Sequence, residues 1–175
     1  MKTRFFILFF AFFLALPPAW AAEKSTDKPQ FHPPQTAAEK ALDHILMLDK
    51  TDRDLPYFIF KLPERTKNWD KDYSRFFTQG LQDAWEKEYL SIPEEDGVRY
   101  VGESFLTCGN GDKPDSLLYY TSKGNAHEAY IDIVWPEYIE NSKLRHPPPY
   151  KMIKEDGLWK LDSVICGEEL KFNAK

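Results

Sequence analysis

The sequence lacks the residue spacings that most often mark a metal centre or a hydrolase. Its 175 residues include only four histidines, and none of them forms a His-x-x-x-His pair. Cys-x-x-Cys, the alternating acidic loop of calcium sites and a Gly-x-Ser-x-Gly elbow for a serine nucleophile are also absent. We therefore expect no metal and no cofactor. The histidines are scattered along the chain: His32, His44, His127 and His146.

Basic residues are outnumbered by acidic ones, and they form no cluster. The chain has 23 Lys and Arg against 28 Asp and Glu, which gives a net charge of −5 at pH 7. Proteins that bind nucleic acid or an anionic membrane surface usually carry a basic patch. The composition therefore argues against both partners and leaves open a basic protein.

Long apolar runs are absent except at the N-terminus. Lys2 and Arg4 precede an unbroken apolar run from Phe5 to Leu16, and Ala19-Trp20-Ala21 then places small residues where signal peptidase reads them. The run is shorter than the roughly 20 residues of a membrane-spanning helix. No cysteine follows the predicted cleavage site after Ala21, so a lipid anchor is not expected. We predict a signal peptide over residues 1–21, no stable membrane anchor, and a periplasmic or secreted protein.

One domain suits the length that remains after cleavage. The mature chain would have 154 residues and, without Lys2 and Arg4, a net charge of −7. A chain of this length can bury a hydrophobic core in a single domain. Residues 22–35 are polar and contain three prolines, which predicts a flexible leader. The domain is predicted over 36–171, with a tail over 172–175.

Two cysteines, Cys108 and Cys166, remain in the predicted mature chain. An even number in an exported protein favours a disulfide, and each cysteine ends a strand-like run and precedes a glycine. A bond between them would close a long loop and stabilise the fold by about 4 kcal/mol on the chain-entropy model. The alternatives are two separate thiols, one of them reactive, or a Cys–His catalytic pair, although no histidine is near either cysteine in the sequence.

Two helices are predicted in the first half of the domain. Thr36 and Glu39 have the spacing of a capping box, and apolar residues then recur at helical intervals, which predicts a helix over 36–49. Asp70 can cap a second helix over 71–89, which carries a broad aromatic and aliphatic stripe. A stripe of this kind is typical of a helix that lies on a sheet.

The spacing of apolar residues changes to a period of two after Pro93. Hairpin turns are predicted around Gly124 and Asn125 and at Asp156-Gly157. One face of the strands is apolar and the other mixed, which predicts an antiparallel sheet covered by helices on one side, and so an α+β fold with the helices first. The predicted strands are 97–107, 115–123, 127–136, 149–155 and 158–166.

The string Gly157-Leu158-Trp159-Lys160-Leu161-Asp162-Ser163-Val164 resembles the closing strand of the cystatin-like, nuclear transport factor 2-like superfamily. The stretch Ser74–Leu81 is similar to a helix motif of one subgroup, which consists of small exported bacterial proteins of unknown function, although Gly80 stands where a helix former is usual. The resemblance covers about residues 36–170. It implies a cone in which helices pack in the concave side of a curved sheet and can leave a pocket. It implies no single activity, because members include isomerases, dehydratases, inhibitors, immunity proteins and scaffolds.

The chemistry that this fold suggests is an acid–base pocket of the isomerase type, in which a carboxylate lies in an apolar cavity. Asp132 is the first candidate and Asp162 the second. Both belong to the less apolar face of their strands, which favours a solvated surface where either would pair with a lysine such as Lys160. Both interpretations stay open at this point.

Two classes of function remain. The first is a non-catalytic module that binds another protein, as an inhibitor, an immunity protein or an envelope accessory protein. Because the chain is acidic, charge complementarity would favour a basic partner. The second binds a small molecule, or acts on it as an acid–base enzyme, in the concave pocket. An interior filled by aromatic side chains favours the first class. An open apolar cavity of at least about 300 Å³ that holds a buried carboxylate favours the second.

Overall fold

The computed structural model describes residues 29–52, 55, 72–94, 99, 106, 116–141, 149–166 and 170–173. Within these residues the fold is α+β, as expected, with two α-helices and an antiparallel sheet of five strands. The strands follow one another in the sheet in chain order, so the sheet is a meander. The elements are α1 (Ala37–Thr51), α2 (Gln79–Ser91), β1 (Leu118–Gly124), β2 (Glu128–Val134), β3 (Tyr150–Glu155), β4 (Leu158–Cys166) and β5 (Leu170–Asn173).

The first helix begins at the predicted capping box. The Thr36 hydroxyl accepts a hydrogen bond from the Glu39 amide at 3.1 Å, and the Glu39 carboxylate accepts one from the Thr36 amide at 2.9 Å. Two of the amides that a helix N-terminus leaves without partners are thereby satisfied. The buried face of α1 then packs on the sheet through four aliphatic residues, which are Ala38, Leu42, Ile45 and Leu46.

The second helix begins later than the sequence predicts. Residues Ser74–Phe76 form a short 3-10 turn, and α2 starts only at Gln79 with Thr78 as its N-cap. The chain is extended at Phe77 because it pairs there with Leu161 of β4 in a parallel bridge. The predicted helix over 71–89 is therefore wrong before Thr78, where bonding to the sheet overrides the helical pattern. Its predicted cap, Asp70, lies outside the described residues.

Both predicted hairpins are present. At the β1–β2 turn the Asn125 side chain accepts hydrogen bonds from the amides of His127 and Glu128, which close the loop. At the β3–β4 turn Asp156 and Gly157 have φ angles of 52° and 80°, and two consecutive positive values are what a type I′ turn requires. The Asp-Gly signal is thus confirmed.

Two further predictions concern the first predicted strand and the C-terminal tail. The predicted strand 97–107 lies outside the described residues except at Arg99 and Leu106, which belong to no strand. The tail was expected to begin at residue 172, but β5 continues to Asn173 and pairs with β4.

A β-bulge interrupts β4 at Asp162. The register between β3 and β4 slips there, so Asp162 is opposite no residue of β3. Because of the extra residue, Leu161 and Val164 both face the core and are fully buried although they are three positions apart. A strict period of two would have placed Ile165 on that face instead of Val164.

The core fills the space between the helices and one face of the sheet. Four of its large aromatic side chains come from α2, β1, β3 and the residue before the α2 cap, and these four are at most 1% exposed. Two of them meet edge to face, with 5.0 Å between ring centroids, a favoured aromatic geometry. The indole Nε1 of Trp85 is buried without a hydrogen-bond acceptor among the described residues, so this side chain contributes by packing. These four aromatic residues are Phe77, Trp85, Tyr119 and Tyr150.

The fold begins before the predicted boundary at Thr36. The amide and carbonyl of His32 exchange hydrogen bonds of 3.0 and 2.8 Å with Tyr119, and the Phe31 ring lies 6.0 Å from that of Tyr120. The end of the predicted leader therefore lies along the edge of β1. In the described part of the chain, no helix is long and apolar enough to cross a bilayer.

The predicted disulfide involves a residue that lies outside the described residues, Cys108. Its proposed partner, Cys166, is the last residue of β4. The bond therefore stays a prediction.

Candidate functional site

The carboxylate of Asp162 belongs to a buried polar cluster. It accepts a hydrogen bond from Nζ of Lys151 at 2.7 Å and one from the Thr78 hydroxyl at 3.1 Å. The Asp162 side chain is 7% exposed and that of Lys151 is 32% exposed. The expected ion pair between Asp162 and a lysine of a neighbouring strand is therefore present, but the carboxylate is buried and not solvated, and the lysine is not Lys160, which pairs with Glu155 at 3.3 Å.

This cluster connects α2 to the sheet. Thr78 donates to Asp162 through the same hydroxyl that accepts from the amide of Leu81 in the first turn of α2. The hydrogen bond to Asp162 raises the pKa of Lys151, although burial alone would lower it. Lys151 is thus held in its charged form, which suits an ion pair and not a nucleophile or a base.

Asp132, the first candidate for an acid–base role, is also buried, with 1% exposure. One of its oxygens accepts a hydrogen bond from the amide of Ile133 at 2.9 Å. The expectation of a solvated face is wrong for this residue as well. Asp132 lies on β2 and Asp162 on β4, and β3 separates these strands. The fold therefore places the two candidate carboxylates on strands that are not neighbours.

A third buried carboxylate, Glu39, does more than cap α1. Besides the amides of Thr36 and Gln35, its oxygens accept a hydrogen bond of 2.6 Å from the Thr121 hydroxyl on β1, and His32 lies 3.9 Å away. Burial alone would raise the pKa of Glu39, but the hydrogen bonds and the nearby His32 lower it below its ordinary value. The ionised carboxylate is therefore a structural anchor between α1 and β1.

A second bond on the same helix face strengthens this connection. The hydroxyl of Tyr119 donates to Asp43 at 2.7 Å, one turn after Glu39. Burial, together with this bond, raises the pKa of Tyr119 well above its ordinary value, so the phenol remains protonated. The acidic residues of α1 that face the sheet are thus engaged by hydroxyl groups of β1.

A cleft with a volume of about 320 Å³ lies between α1, the 3-10 turn and the tip of the β3–β4 hairpin. We call it the hairpin cleft. Its volume is at the lower end of the range for ligand pockets, about 300–1,000 Å³. It is lined by Ala41, His44, Arg75, Phe76, Gly157, Leu158 and Trp159.

The hairpin cleft combines an apolar surface with basic groups. The guanidinium of Arg75 lies over the ring of Phe76, 4.7 Å from its centroid, and the ring of His44 meets the same phenyl at 5.3 Å. None of the described residues that line the cleft has a carboxylate, thiol or hydroxyl side chain. The arrangement of these residues can bind an apolar group that carries a negative charge.

Asp132 and Asp162 do not line the hairpin cleft. The sequence interpretation missed this site, because its parts belong to elements that are far apart in the chain. One signal was present: Leu158 and Trp159 follow the Asp156-Gly157 turn directly, so a large apolar pair is placed at the exposed tip of a hairpin.

Among the residues that the structure describes, no three His, Cys, Asp or Glu side chains gather as a metal site. No family model, curated protein or solved structure matches the chain.

Proposed function

We propose that this chain is an exported, non-catalytic module that acts by binding another protein, as an inhibitor, an immunity protein or an envelope accessory protein. One observation carries the proposal. The space between the helices and the sheet, where this kind of fold would hold a reaction pocket, is occupied by the large aromatic side chains of Phe77, Trp85, Tyr119 and Tyr150. An interior of this kind stabilises the fold and leaves recognition to the surface.

The distribution of carboxylates also favours binding over catalysis. An isomerase-type site needs a carboxylate with a raised pKa in an apolar cavity. Glu39 has a lowered pKa, and Asp162 is in an ion pair with Lys151. The hairpin cleft has the volume of a small ligand pocket, and none of the described residues that line it has a carboxylate side chain. The enzyme alternative, with Asp132 or Asp162 as its base, is therefore the weaker proposal.

The proposal includes the fold family and the compartment. Bulges in β1 and β4 support a curved, cone-like sheet of the nuclear transport factor 2-like kind, because a bulge bends its strand and increases the local twist. The apolar N-terminal run and the small residues of Ala19-Trp20-Ala21 support export. The net negative charge supports a basic partner, which it would attract at long range.

Affinity capture followed by reconstitution tests the function. The tagged mature protein would be recovered from the periplasm after cross-linking, beside an unrelated exported protein of similar charge. Any enriched protein would then be purified and titrated by calorimetry. We expect saturable binding with a Kd of about 1 μM or tighter, equivalent to about −8 kcal/mol. Failure to enrich any protein above the control, or no heat with the purified candidate, would contradict the proposal.

A further inference from the structure

We propose that the hairpin cleft is the docking site for a partner segment that presents an apolar side chain beside a carboxylate. The inference rests on the proposed function, since the occupant is part of a protein partner. It adds the place of binding and the chemistry of the group that is recognised. The wall comes from α1 and the 3-10 turn, and the rim from the hairpin tip.

The apolar part of the occupant is indicated by the walls of the cleft. Leu158 is 51% exposed, and the rings of Phe76 and Trp159 are half-buried beside it. A group of this kind on the surface is typical of a recognition site, whereas single exposed apolar residues are ordinary. The type I′ turn at Asp156-Gly157 holds the rim in place, so little ordering is needed when a partner binds.

The charged part of the occupant is indicated by the basic groups. Arg75 is exposed and is held against Phe76, and within the described residues no carboxylate lies within ion-pair distance of it. Among the described residues, Asp72 is the acidic residue nearest to Arg75 in the sequence, and its carboxylate accepts a hydrogen bond from the amide of Ser74 at 3.0 Å. Asp156, in the hairpin turn, does not line the cleft. A guanidinium presented in this way matches a carboxylate, which it can bind through two parallel hydrogen bonds.

The size of the cleft is compatible with a single side-chain anchor from a protein. A volume of about 320 Å³ in a cleft open on one side accommodates one large side chain and its neighbouring carboxylate. Protein interfaces concentrate their affinity in such anchors, which are surrounded by a larger area of weaker contacts. The long-range attraction of the acidic chain for a basic partner is compatible with this, because the net charge acts at a distance and the cleft acts on contact.

The first experiment uses a minimal probe, N-acetyl-L-phenylalanine, with its uncharged amide as the comparison. Two-dimensional NMR on the mature protein would follow the backbone amides of the hairpin tip and the indole of Trp159. We expect shifts at these positions with a Kd in the millimolar range, and at least fivefold weaker binding of the amide. Equal effects of the two probes, or shifts confined to other regions, would overturn the proposal.

Substitutions make the first experiment specific. Arg75→Gln should remove the preference for the charged probe, and Leu158→Ser should weaken both probes. Lys87→Gln is the matched control, since Lys87 is exposed on α2 and does not line the cleft. Both cleft residues are exposed, so the spectrum of each variant should remain that of the folded protein. A preference for the charged probe that survives in Arg75→Gln would overturn the role of the guanidinium.

The second experiment uses the purified partner and separates the two proposals. Arg75→Gln and Leu158→Ser should each weaken its binding about tenfold or more, and Lys87→Gln by less than twofold. A partner that binds all variants equally would overturn the docking site and leave the proposed function standing. If the probe binds but no protein partner is found, the cleft is a small-molecule site. If the protein forms a dimer and Leu158→Ser abolishes it, the cleft is a contact between two copies of the chain. Either result would overturn the present inference.

Discussion

At the scale of single residues, one buried and one partly buried carboxylate account for much of how α1 is held on the sheet. Glu39 accepts hydrogen bonds from two amides at the start of α1 and from Thr121, which is 82 positions away in the chain. Asp43 accepts from Tyr119 one turn later. An ionised group with several donors is stabilised in its charged form, so the strength of this connection depends on pH.

Replacing Glu39 with Gln should lower the free energy of unfolding by about 1–2 kcal/mol at pH 7, because the cap and the charged hydrogen bonds are weakened. The pKa of Glu39 is lower in the folded state than in the unfolded chain. Its contribution is therefore complete above the unfolded value and is lost as pH falls towards the folded value. The difference in stability between the parent and Glu39→Gln should stay constant from pH 7 to about pH 5 and shrink below about pH 4 in urea unfolding.

The exposed residue Glu137 provides the control for this measurement. Its substitution by Gln should leave the stability unchanged within about 0.5 kcal/mol. A difference for Glu39→Gln that stays constant below about pH 4 as well would show that the lowered pKa does not contribute to stability.

At the scale of elements, the bulge in β4 decides how α2 meets the sheet. Asp162 is the extra residue, and its carboxylate reaches both Lys151 on β3 and the N-cap residue Thr78. The same region holds the parallel bridge between Phe77 and Leu161, so the chain enters α2 directly from the sheet. A bulge commonly re-aims a side chain in this way.

Removing Lys151 and removing Asp162 should lower the free energy of unfolding by different amounts. Lys151→Met leaves the Asp162 carboxylate buried and without its cation, and should destabilise the protein by about 3 kcal/mol. Asp162→Asn keeps an acceptor for Thr78, and the partly exposed Lys151 can turn to water, so the cost should be about 1 kcal/mol. Urea unfolding of both single variants and the double variant would give the coupling energy.

Lys160→Met is the matched control, because Lys160 pairs with the exposed Glu155. Its cost should be within about 1 kcal/mol. If Lys151→Met were no more destabilising than this control, the buried pair would not be a significant connection between β3 and β4.

At the scale of the whole molecule, a single sheet in chain order is covered by helices, and short connections join most of its strands. The β4 strand has partners on both sides and also pairs with the segment before α2. Cys166 lies at the end of β4, so a disulfide from this point would tie the most connected strand to a distant part of the chain. Export and this disulfide belong to one proposal, because the bond requires an oxidising compartment.

Intact-mass analysis of protein from the periplasmic fraction tests both parts. We expect a chain that starts after Ala21, and a mass that increases by about two hydrogens on reduction. Alkylation without reductant should modify neither Cys108 nor Cys166. Two thiols that react without reductant would contradict the disulfide, and an uncut N-terminus would contradict the signal peptide.

The features that local sequence patterns were sufficient to predict involve residues close together in the chain. Thr36 and Glu39 are three residues apart, and the hydroxyl and carboxylate that close the capping box need nothing from the rest of the fold. Asp156 and Gly157 adopt positive φ angles that few other residue pairs accept, which set the β3–β4 turn. The alternation of apolar residues in the strands was sufficient for an antiparallel sheet and the α+β class.

The tertiary structure alone decided the features that join distant residues. The helical pattern through Phe77 is interrupted because Phe77 pairs with Leu161 of β4, a strand that lies far along the chain. Asp162 is buried because a bulge turns it towards Lys151 and Thr78. The hairpin cleft exists because three separate elements meet. Local sequence patterns reflect the conformational preferences of a short segment. These contacts depend instead on which segments become neighbours when the core forms.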